Sequence, residues 1–176
     1  MALNNDAVLS ISTAKFYTAV TGTEVGDETG WEEMGHTSID SVLAVESEGG
    51  DTNTLGSLQV KQLRTSRTPI VDHFRVDLQQ FDEGGLKLYY GSNATTGTDG
   101  MLEVPANPVP TTKAWKMVAV DGEREFVVYA EKAEIFRAEG ASFSNEEALS
   151  TLPLSVRPLS VSDDAAPYKL TVLGAA

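Results

Sequence analysis

The segment Thr68–Gly91 contains two hydrophobic periods, one after the other, and it constrains the fold more than any other part of the chain. Its first part alternates apolar and polar residues, which is the pattern of a strand with one buried face. The apolar row is Phe74, Val76 and Leu78, and the polar row is His73, Arg75, Asp77 and Gln79. We expect the apolar row to enter a core and the polar row to face solvent in an isolated chain.

A short helix is predicted directly after this strand. Asp82 can cap its N-terminus, because a carboxylate accepts hydrogen bonds from free backbone N–H groups, and Gly91 is placed to end it. Gly84 and Gly85 each destabilise a helix interior by about 1 kcal/mol relative to Ala. The helix therefore needs a sheet to pack against, and the predicted packing face is Leu86, Tyr89 and Tyr90.

The rest of the chain predicts short strands, a flexible loop at Ser92–Gly100, an irregular or edge segment with three prolines at Met101–Thr112, and no βαβ rhythm. A first strand is expected within Ala7–Val20, and Asp121-Gly122 predicts a tight hairpin before a strand that starts near Glu125 and continues past a bulge. A strand within Leu152–Val161 contains Pro153 and Pro158 and is therefore expected at a sheet edge. The predicted fold is a single all-β domain spanning residues 1–176, a β-sandwich or barrel with one short flanking α-helix.

A long β-hairpin is predicted within residues 39–66. Its middle, Glu46–Gly56, is polar and rich in glycine, so we expect a loop there, followed by an extended segment at Ser57–Thr65. The hydrophobicity of this loop is too low to bury anything of its own. It is either mobile or ordered by a partner.

The charges of this region are unevenly distributed. The chain has a net charge of −13, and no Lys or Arg occurs between Phe16 and Val60. Nine acidic residues lie in that interval: Glu24, Asp27, Glu28, Glu32, Glu33, Asp40, Glu46, Glu48 and Asp51. A basic group follows directly, with Lys61, Arg64, Arg67 and Arg75. Both parts can be ordinary solvated surfaces. Alternatively, the acidic part of one copy meets the basic part of another, since such complementarity steers association.

The sequence contains no pattern that indicates an enzyme. It has no cysteine, and its two histidines, His36 and His73, have no companions at metal-ligand spacing. Neither a G-x-S-x-G elbow nor a phosphate-binding P-loop occurs. We therefore predict no catalytic residue, no metal and no cofactor. The N-terminus lacks a secretion signal, and no apolar run approaches the roughly 20 residues of a membrane helix. The acidic charge argues against an attractive nucleic-acid surface.

The order of these segments resembles a known family. The residues that carry the resemblance are GWEEMGHTS at Gly30–Ser38, the hairpin Ile39–Thr65, the segment TPIVDHFRVDLQQFDEGGLKLYYG, the later hairpin WKMVAVDGEREFVVYAEKAEIF and the terminal strand. Together they resemble the major tail tube proteins of long, non-contractile-tailed bacteriophages, the siphophage major tail proteins.

The resemblance implies a β-sandwich flanked by one helix, whose subunits close into hexameric rings that stack into a tube. In such a tube the sheets of neighbouring subunits line the lumen, and the long hairpin reaches an adjacent ring. The tube forms around a tape-measure protein, joins tail terminator and distal tail proteins, and passes double-stranded DNA to the host without binding it specifically. The protein would be a virion component assembled in the host cytoplasm. Some relatives add an immunoglobulin-like C-terminal domain, for which this chain is too short.

Three sets of residues are candidates for such an assembly. The acidic Glu46, Glu48 and Asp51 are expected to meet the basic Lys61, Arg64 and Arg67 of another ring. The polar row His73, Arg75, Asp77 and Gln79 would form a shared sheet or face the lumen. The helix face Leu86, Tyr89 and Tyr90 would hold the helix on the sheet.

Two other functions fit the residues as well. The chain can be a monomeric β-sandwich binding module, carbohydrate-binding or adhesin-like, that uses Trp31, Trp115, Tyr89 and Tyr90 as exposed aromatics. It can also be another virion component, such as a neck, tail-terminator or capsid-decoration protein.

Overall fold

The computed structural model describes residues 4–40 and 42–173, and nearly all regular structure in this part of the chain is β. A 3₁₀ turn lies at Asn5–Ala7, and one α-helix, α1, spans Glu83–Tyr90. The strands are β1 (Thr13–Ala19), β2 (Glu32–Glu33), β3 (Ala44–Gly49), β4 (Thr52–Leu55), β5 (Arg64–Arg67), β6 (Ile70–Leu78), β7 (Thr95–Thr96), β8 (Leu102–Glu103), β9 (Thr111–Asp121), β10 (Arg124–Arg137), β11 (Leu152–Pro158) and β12 (Lys169–Leu170).

Within the described residues, eight strands form one antiparallel sheet. Its order is β2-β1-β9-β10-β11-β6-β3, and β12 pairs with β10 beside β11. The pairs β4-β5 and β7-β8 form two separate ladders. The predicted all-β class with one short helix and a long hairpin is therefore confirmed.

The large sheet curls strongly, so that β9 and β6 meet across one core, as expected for the predicted sandwich or barrel-like form. Trp115 on β9 and Phe74 on β6 stack with their ring centroids 5.4 Å apart. Three strand spacings separate β9 from β6, which would be about 14 Å in a flat sheet. The segment after β2 closes the curl: the N–H of Met34 donates to Phe16 on β1, and the N–H of Ser38 donates to Asp77 on β6.

The core lies inside this curl, and the alternation of β6 feeds it directly. Phe74, Val76 and Leu78 are at most 1% exposed, as the sequence predicted. Trp115 and Met117 of β9 alternate into the same core and are also buried. The bulge expected in the strand after the hairpin is present, as a register shift between Ala130 and Ala133 of β10.

Helix α1 follows β6 after a short turn and packs on β10 and β11. Asp82 caps it as predicted, since its Oδ1 accepts the N–H of Gly85 at 2.8 Å. Gly91 ends it with φ +106°, a conformation that side chains other than Gly rarely adopt.

The most buried side of α1 differs slightly from the prediction. It is centred on Gly85, Leu88 and Tyr89, while Leu86 and Tyr90 are half-buried and pack at its margin. A Cβ on Gly85 would lie 2.6 Å from the carbonyl oxygen of Gln80. Gly85 thus permits the close approach of the helix to β6, whereas Gly84 faces open space apart from a 3.6 Å contact with Asp82.

The prediction that Leu152–Val161 is an edge strand was wrong, because β11 lies between β10 and β6. The prolines are tolerated because both lie at the ends of the ladder. The carbonyl of Pro153 accepts the N–H of Ala138, which lies one residue beyond the end of β10. In an antiparallel pair, the N–H and carbonyl of one residue point to the same neighbour, so the N–H that Pro153 lacks would also point past the end of β10, and no bond inside the sheet is lost. Pro158 is the last residue of β11, two residues beyond its final pair with β6.

Three further boundaries differ from the sequence prediction. The first strand begins only at Thr13, since Asn5–Ala7 forms the 3₁₀ turn. The predicted loop at residues 92–100 contains the two residues of β7, which pair with β8. The tight hairpin is shifted by one residue: Asp121 pairs with Arg124, and the loop is Gly122-Glu123 with Gly122 at φ +65°.

Candidate assembly interface

The hairpin β3-β6 continues beyond the sheet as a second ladder, β4-β5. We call residues 50–69 the arm. At its base, Gly49 and Gly50 have φ values of +87° and +77°, and a Cβ on Gly49 would lie 2.2 Å from the carbonyl oxygen of Pro69. The base is held by Asp51, whose backbone N–H donates to Thr68 Oγ1 at 2.9 Å. All eight residues of β4 and β5 are exposed, so the arm does not lie on the body of its own chain.

The predicted position of the loop in this hairpin was wrong. Glu46–Gly56 is mostly strand, and the turn lies at residues 56–63, where an extended segment was expected. The strands β4 and β5 are held by backbone pairing, from Thr52 opposite Arg67 to Leu55 opposite Arg64. A ladder without a buried face shows no apolar alternation, so its polar composition was mistaken for a loop.

The tip of the arm, residues 55–63, exposes four large aliphatic side chains to solvent. The N–H of Leu63 donates to the carbonyl of Leu55 at 2.9 Å, and this bond closes the turn. The exposed fraction is 99% for Leu58, 64% for Leu63, 53% for Leu55 and 49% for Val60. Sequence reasoning missed this cluster. The signal that could have found it is four large aliphatic residues in nine, in a region too polar to build a core.

The charges of the hairpin are sorted along its length. Glu46 and Glu48 lie on β3 and Asp51 at the base of the arm, whereas the basic residues lie further out. Lys61 is at the tip and Arg64 and Arg67 are on β5, where Arg67 donates to Thr52 Oγ1. In the described part of the chain, none of these three cations forms an ion pair. The sequence-predicted acidic and basic sets thus share one hairpin but do not neutralise each other.

A partly exposed hydrogen-bond network fastens the root of the hairpin. Asp72 on β6 accepts from Ser47 Oγ on β3 at 2.5 Å and from the Tyr168 hydroxyl at 2.6 Å. These bonds, the one from Ser47 first, lower the pKa of Asp72, and the bond to Asp72 raises the pKa of Tyr168. Tyr168 also packs edge-on against Phe74, so one carboxylate joins the root of the hairpin to the C-terminal segment and the core.

The polar row of β6 is half-buried rather than open to bulk solvent, contrary to our expectation for an isolated chain. Arg75 forms a bidentate pair with Glu139 at 2.7 and 2.9 Å, which raises the pKa of Arg75 and lowers that of Glu139. Arg75 Nε also lies 3.5 Å from Asp77 Oδ1. Gln79 is likewise half-buried, and its N–H donates to the carbonyl of His36.

His73 lies between three elements in the same row. Its Nε2 is 3.7 Å from Glu48 Oε2 on β3, and its Nδ1 is 3.4 Å from Ser155 Oγ on β11. The ring also packs edge-on against Phe136 of β10. Glu46 is directly opposite His73 in the β3-β6 register. The row therefore belongs to a continuous outer surface that includes the acidic side chains of β3.

Strand β3 forms one edge of the large sheet. It pairs with β6 on one side, and no described residue pairs with its other side. Its residues from Val45 to Gly49 are exposed to solvent. An edge of six residues with free backbone groups is a template for another strand. The opposite edge, β2, has only two residues.

A groove lies beside the C-terminal end of α1. Its volume is about 380 Å³, within the range of roughly 300–1,000 Å³ that is usual for binding pockets. Its walls are mainly apolar, from Tyr90, Val104, Pro105, Pro108, Val109 and Phe136. The proline-rich segment that forms one wall was predicted only as irregular chain, because prolines reveal neither a partner nor a cavity.

The four aromatics considered for a carbohydrate- or adhesin-type surface are mostly used within the chain. Trp115 and Tyr89 are buried, and the Tyr89 hydroxyl donates to the carbonyl of Glu139. Trp31 is half-buried, with the ammonium of Lys116 4.2 Å from its ring centroid. Burial of the Lys116 ammonium lowers its pKa. Tyr90, together with part of Tyr89, lines the groove beside the end of α1.

Neither a metal site nor a membrane span is evident in residues 4–40 and 42–173. No group of three or more His, Asp or Glu side chains there is arranged to hold a metal ion. None of the helices in this part has the length and apolar character needed to cross a bilayer.

Comparison with known proteins identifies the family. The profile of the family described as phage tail tube protein matches residues 1–171. The chain is 35% identical to the major tail protein Gp23 of Mycobacterium phage D29 over 183 aligned positions, which cover 93% of this chain and 90% of that protein. It is 33% identical to the major tail protein Gp23 of Mycobacterium phage L5, with the same coverage.

The match spans the curled sheet, the helix and the arm together. The resemblance seen in the sequence is thus confirmed, and the role it supports is structural rather than enzymatic. The chain belongs to the phage tail tube protein family and is a structural component of a phage tail.

Proposed function

We propose that this protein assembles with itself into hexameric rings, that the rings stack into the tail tube, and that the tube conducts DNA into the host. The observation that carries the proposal is the arm. It presents four large aliphatic side chains and three cations to solvent and buries none of them against its own body. Apolar surface of this kind marks a protein interface. The relatives named major tail proteins support the same role.

Ring closure would use the edge of the large sheet. The free side of β3 can pair with the edge of a neighbouring copy, and a head-to-tail contact of this kind closes into a ring when the rotation fits. Joining the sheets would extend the outer surface that carries His73, Arg75, Asp77 and Gln79. That row would then lie in the shared sheet, facing a neighbour or the channel.

The acidic character of the chain suits a DNA conduit. At a net charge of −13, a lumen of the same average composition repels phosphates, so DNA slides through it without specific binding. We expect the tube to form around a tape-measure protein in the host cytoplasm and to join tail terminator and distal tail proteins at its ends. A neck or capsid-decoration role has no observation that favours it.

Electron microscopy of the purified protein tests this function. We expect tubes with a central channel, and end views with six-fold symmetry. A protein that stays monomeric at high concentration, with and without tape-measure protein, would contradict the proposal and favour a monomeric binding module.

Contact between rings would bring opposite charges together. The outer half of the arm is basic and its root is acidic, so arms from successive rings can pair Lys61, Arg64 and Arg67 with Glu46, Glu48 and Asp51 of the next copy. The triple variant K61E/R64E/R67E should fold normally but fail to stack. The matched control R64K/R67K keeps the charge and should form tubes. Tubes of unchanged length and salt resistance in the triple variant would exclude this contact.

A further inference from the structure

We propose that the arm tip of one copy inserts into the groove beside the C-terminal end of α1 on a second copy in the adjacent ring. This inference rests on the proposed function, because it assigns a specific binding site to the arm. It pairs the tip around Leu58, the most exposed large apolar residue among those that the structure describes, with a mainly apolar groove of about 380 Å³.

The chemistry of the two surfaces matches. Leu58 is 99% exposed at the apex of a turn whose ends are joined by hydrogen bonds, so the tip presents aliphatic side chains that can enter a groove. Most groups of the groove wall are aliphatic, proline or aromatic, among them Val104, Val109 and Tyr90, and Arg137 adds one cation to the lining. Burying the aliphatic side chains of the tip against this wall would remove their apolar surface from water, which favours the contact.

The positions of the two surfaces make the contact intermolecular. Phe136 lines the groove and pairs with Ser155 of β11, which in turn pairs with Arg75 of β6. Arg75 lies five residues along β6 from Ile70, the first residue of β6 after the arm. The groove is thus displaced from the arm root by about 17 Å along the strand direction, toward the helix. The arm leaves from the other end of β6 and lies free of the body, so its tip cannot occupy this groove in its own chain without folding back.

Charge identifies the occupant as a second copy of this protein. Residues 56–67 contain three basic and no acidic residues, in a chain whose net charge is −13. Without these three cations, the rest of the chain carries a net charge of −16. A basic arm is therefore attracted to the acidic body of another copy. Glu103, directly beside the groove residue Val104, is exposed and supplies negative charge at that end.

A tip in one place and a groove in another make a heterologous contact. Each copy gives its tip to one neighbour and its groove to another, so the contact propagates along an axis instead of closing as a dimer. This is the geometry that stacked rings need.

Cysteine cross-linking tests the contact, because the natural chain contains no cysteine. We would combine L58C with V109C, assemble tubes, oxidise them, and run non-reducing gels. A parallel reaction with a short bis-maleimide covers thiols whose geometry does not suit a disulfide. We expect a ladder of covalent oligomers from L58C/V109C. The single variants and L58C/V8C, whose second site is 63% exposed but outside the groove, should stay monomeric on the gel.

A second measurement uses the tip alone. L58D should raise the protein concentration needed for assembly by about tenfold or more, because a buried apolar contact is replaced by a charge, while L58M should leave it nearly unchanged.

The outcomes separate the two proposals. Tubes that give no ladder with either reagent overturn the docking site and leave the tail tube role standing. Covalent dimers from L58C alone, or a cross-link within one chain, also overturn it. If the unmodified protein forms no tubes under any condition and L58C/V109C gives no ladder, both proposals fail.

Discussion

The curled sheet and the arm are built from the same kind of antiparallel ladder, but they are stabilised differently. In the sheet, backbone pairing is combined with a buried core around Trp115, Phe74 and Leu78. In the arm, β4 and β5 have backbone pairing only, and their large aliphatic side chains face water. An isolated two-stranded ladder is marginally stable in water. The comparison teaches that the sheet specifies the fold of the subunit, whereas the arm is completed by what it binds.

Truncating one large apolar residue in each region should break this comparison most clearly. W115A removes a fully buried side chain and should lower the free energy of unfolding by about 3–5 kcal/mol. L58A removes one that is almost fully exposed and should change it by less than about 0.5 kcal/mol. Urea titrations of the unassembled protein measure both. Equal losses would show that the arm tip is part of the subunit's own core.

The two adjacent glycines of α1 sharpen the role of the helix. G85A places a methyl group against the carbonyl of Gln80 and the side chain of Leu78 and should destabilise the subunit by about 1–3 kcal/mol. G84A fills open space in the helix and should stabilise it by about 0.5–1 kcal/mol.

Thermal unfolding of the two variants provides a matched comparison, because the change is the same and only the surroundings differ. If both variants lost stability equally, the glycines would serve the flexibility of the turn and not the approach of the helix to the sheet.

The smallest expected effect concerns the boundary between the two regions, at Asp72. Its folded-state pKa is lowered, chiefly by the hydrogen bond from Ser47, so its contribution is present above the ordinary carboxyl pKa and is lost as pH falls through the lower folded value. We expect a loss of about 1 kcal/mol or less as pH falls from about 5 to 2.

The variant D72N should remove this part of the pH dependence. Its unfolding free energy, measured by urea titration at each pH, should converge with that of the natural protein at the acid end. An unchanged slope between pH 5 and 2 would mean that the network at the arm root does not couple to folding.

The sequence predicted best where one face of an element is buried. The alternation of Phe74, Val76 and Leu78 and the cap at Asp82 correspond to burial and to a hydrogen bond in the structure. These local patterns exist because water is excluded from one side of the strand or helix. The all-β class and the family followed from several such segments in order.

What the sequence could not predict depends on distant partners. Pro153 is tolerated in an interior strand because the neighbouring strand β10 ends opposite Leu154, one residue short of Pro153. A local sequence pattern does not show where a neighbouring strand ends. Likewise, Arg75 was expected to face solvent, but Glu139, 64 residues away, covers it. The sequence predicted the basic residues of the candidate interface, Lys61, Arg64 and Arg67. It did not predict the exposed aliphatic side chains of the tip or the groove.

The glycine base of the arm has a mechanical consequence for a tail. The arm is joined to its subunit by two backbone segments, one through Gly49 and Gly50 and the other through Thr68 and Pro69. Pulling along the arm loads the covalent backbone of both segments, whereas tilting it changes dihedral angles at Gly49 and Gly50 and opens the hydrogen bonds between Asp51 and Thr68. Such a link is stiff in tension and soft in bending. In the proposed tube of stacked hexamers, six of these links at every level would let the tube curve without letting its rings separate.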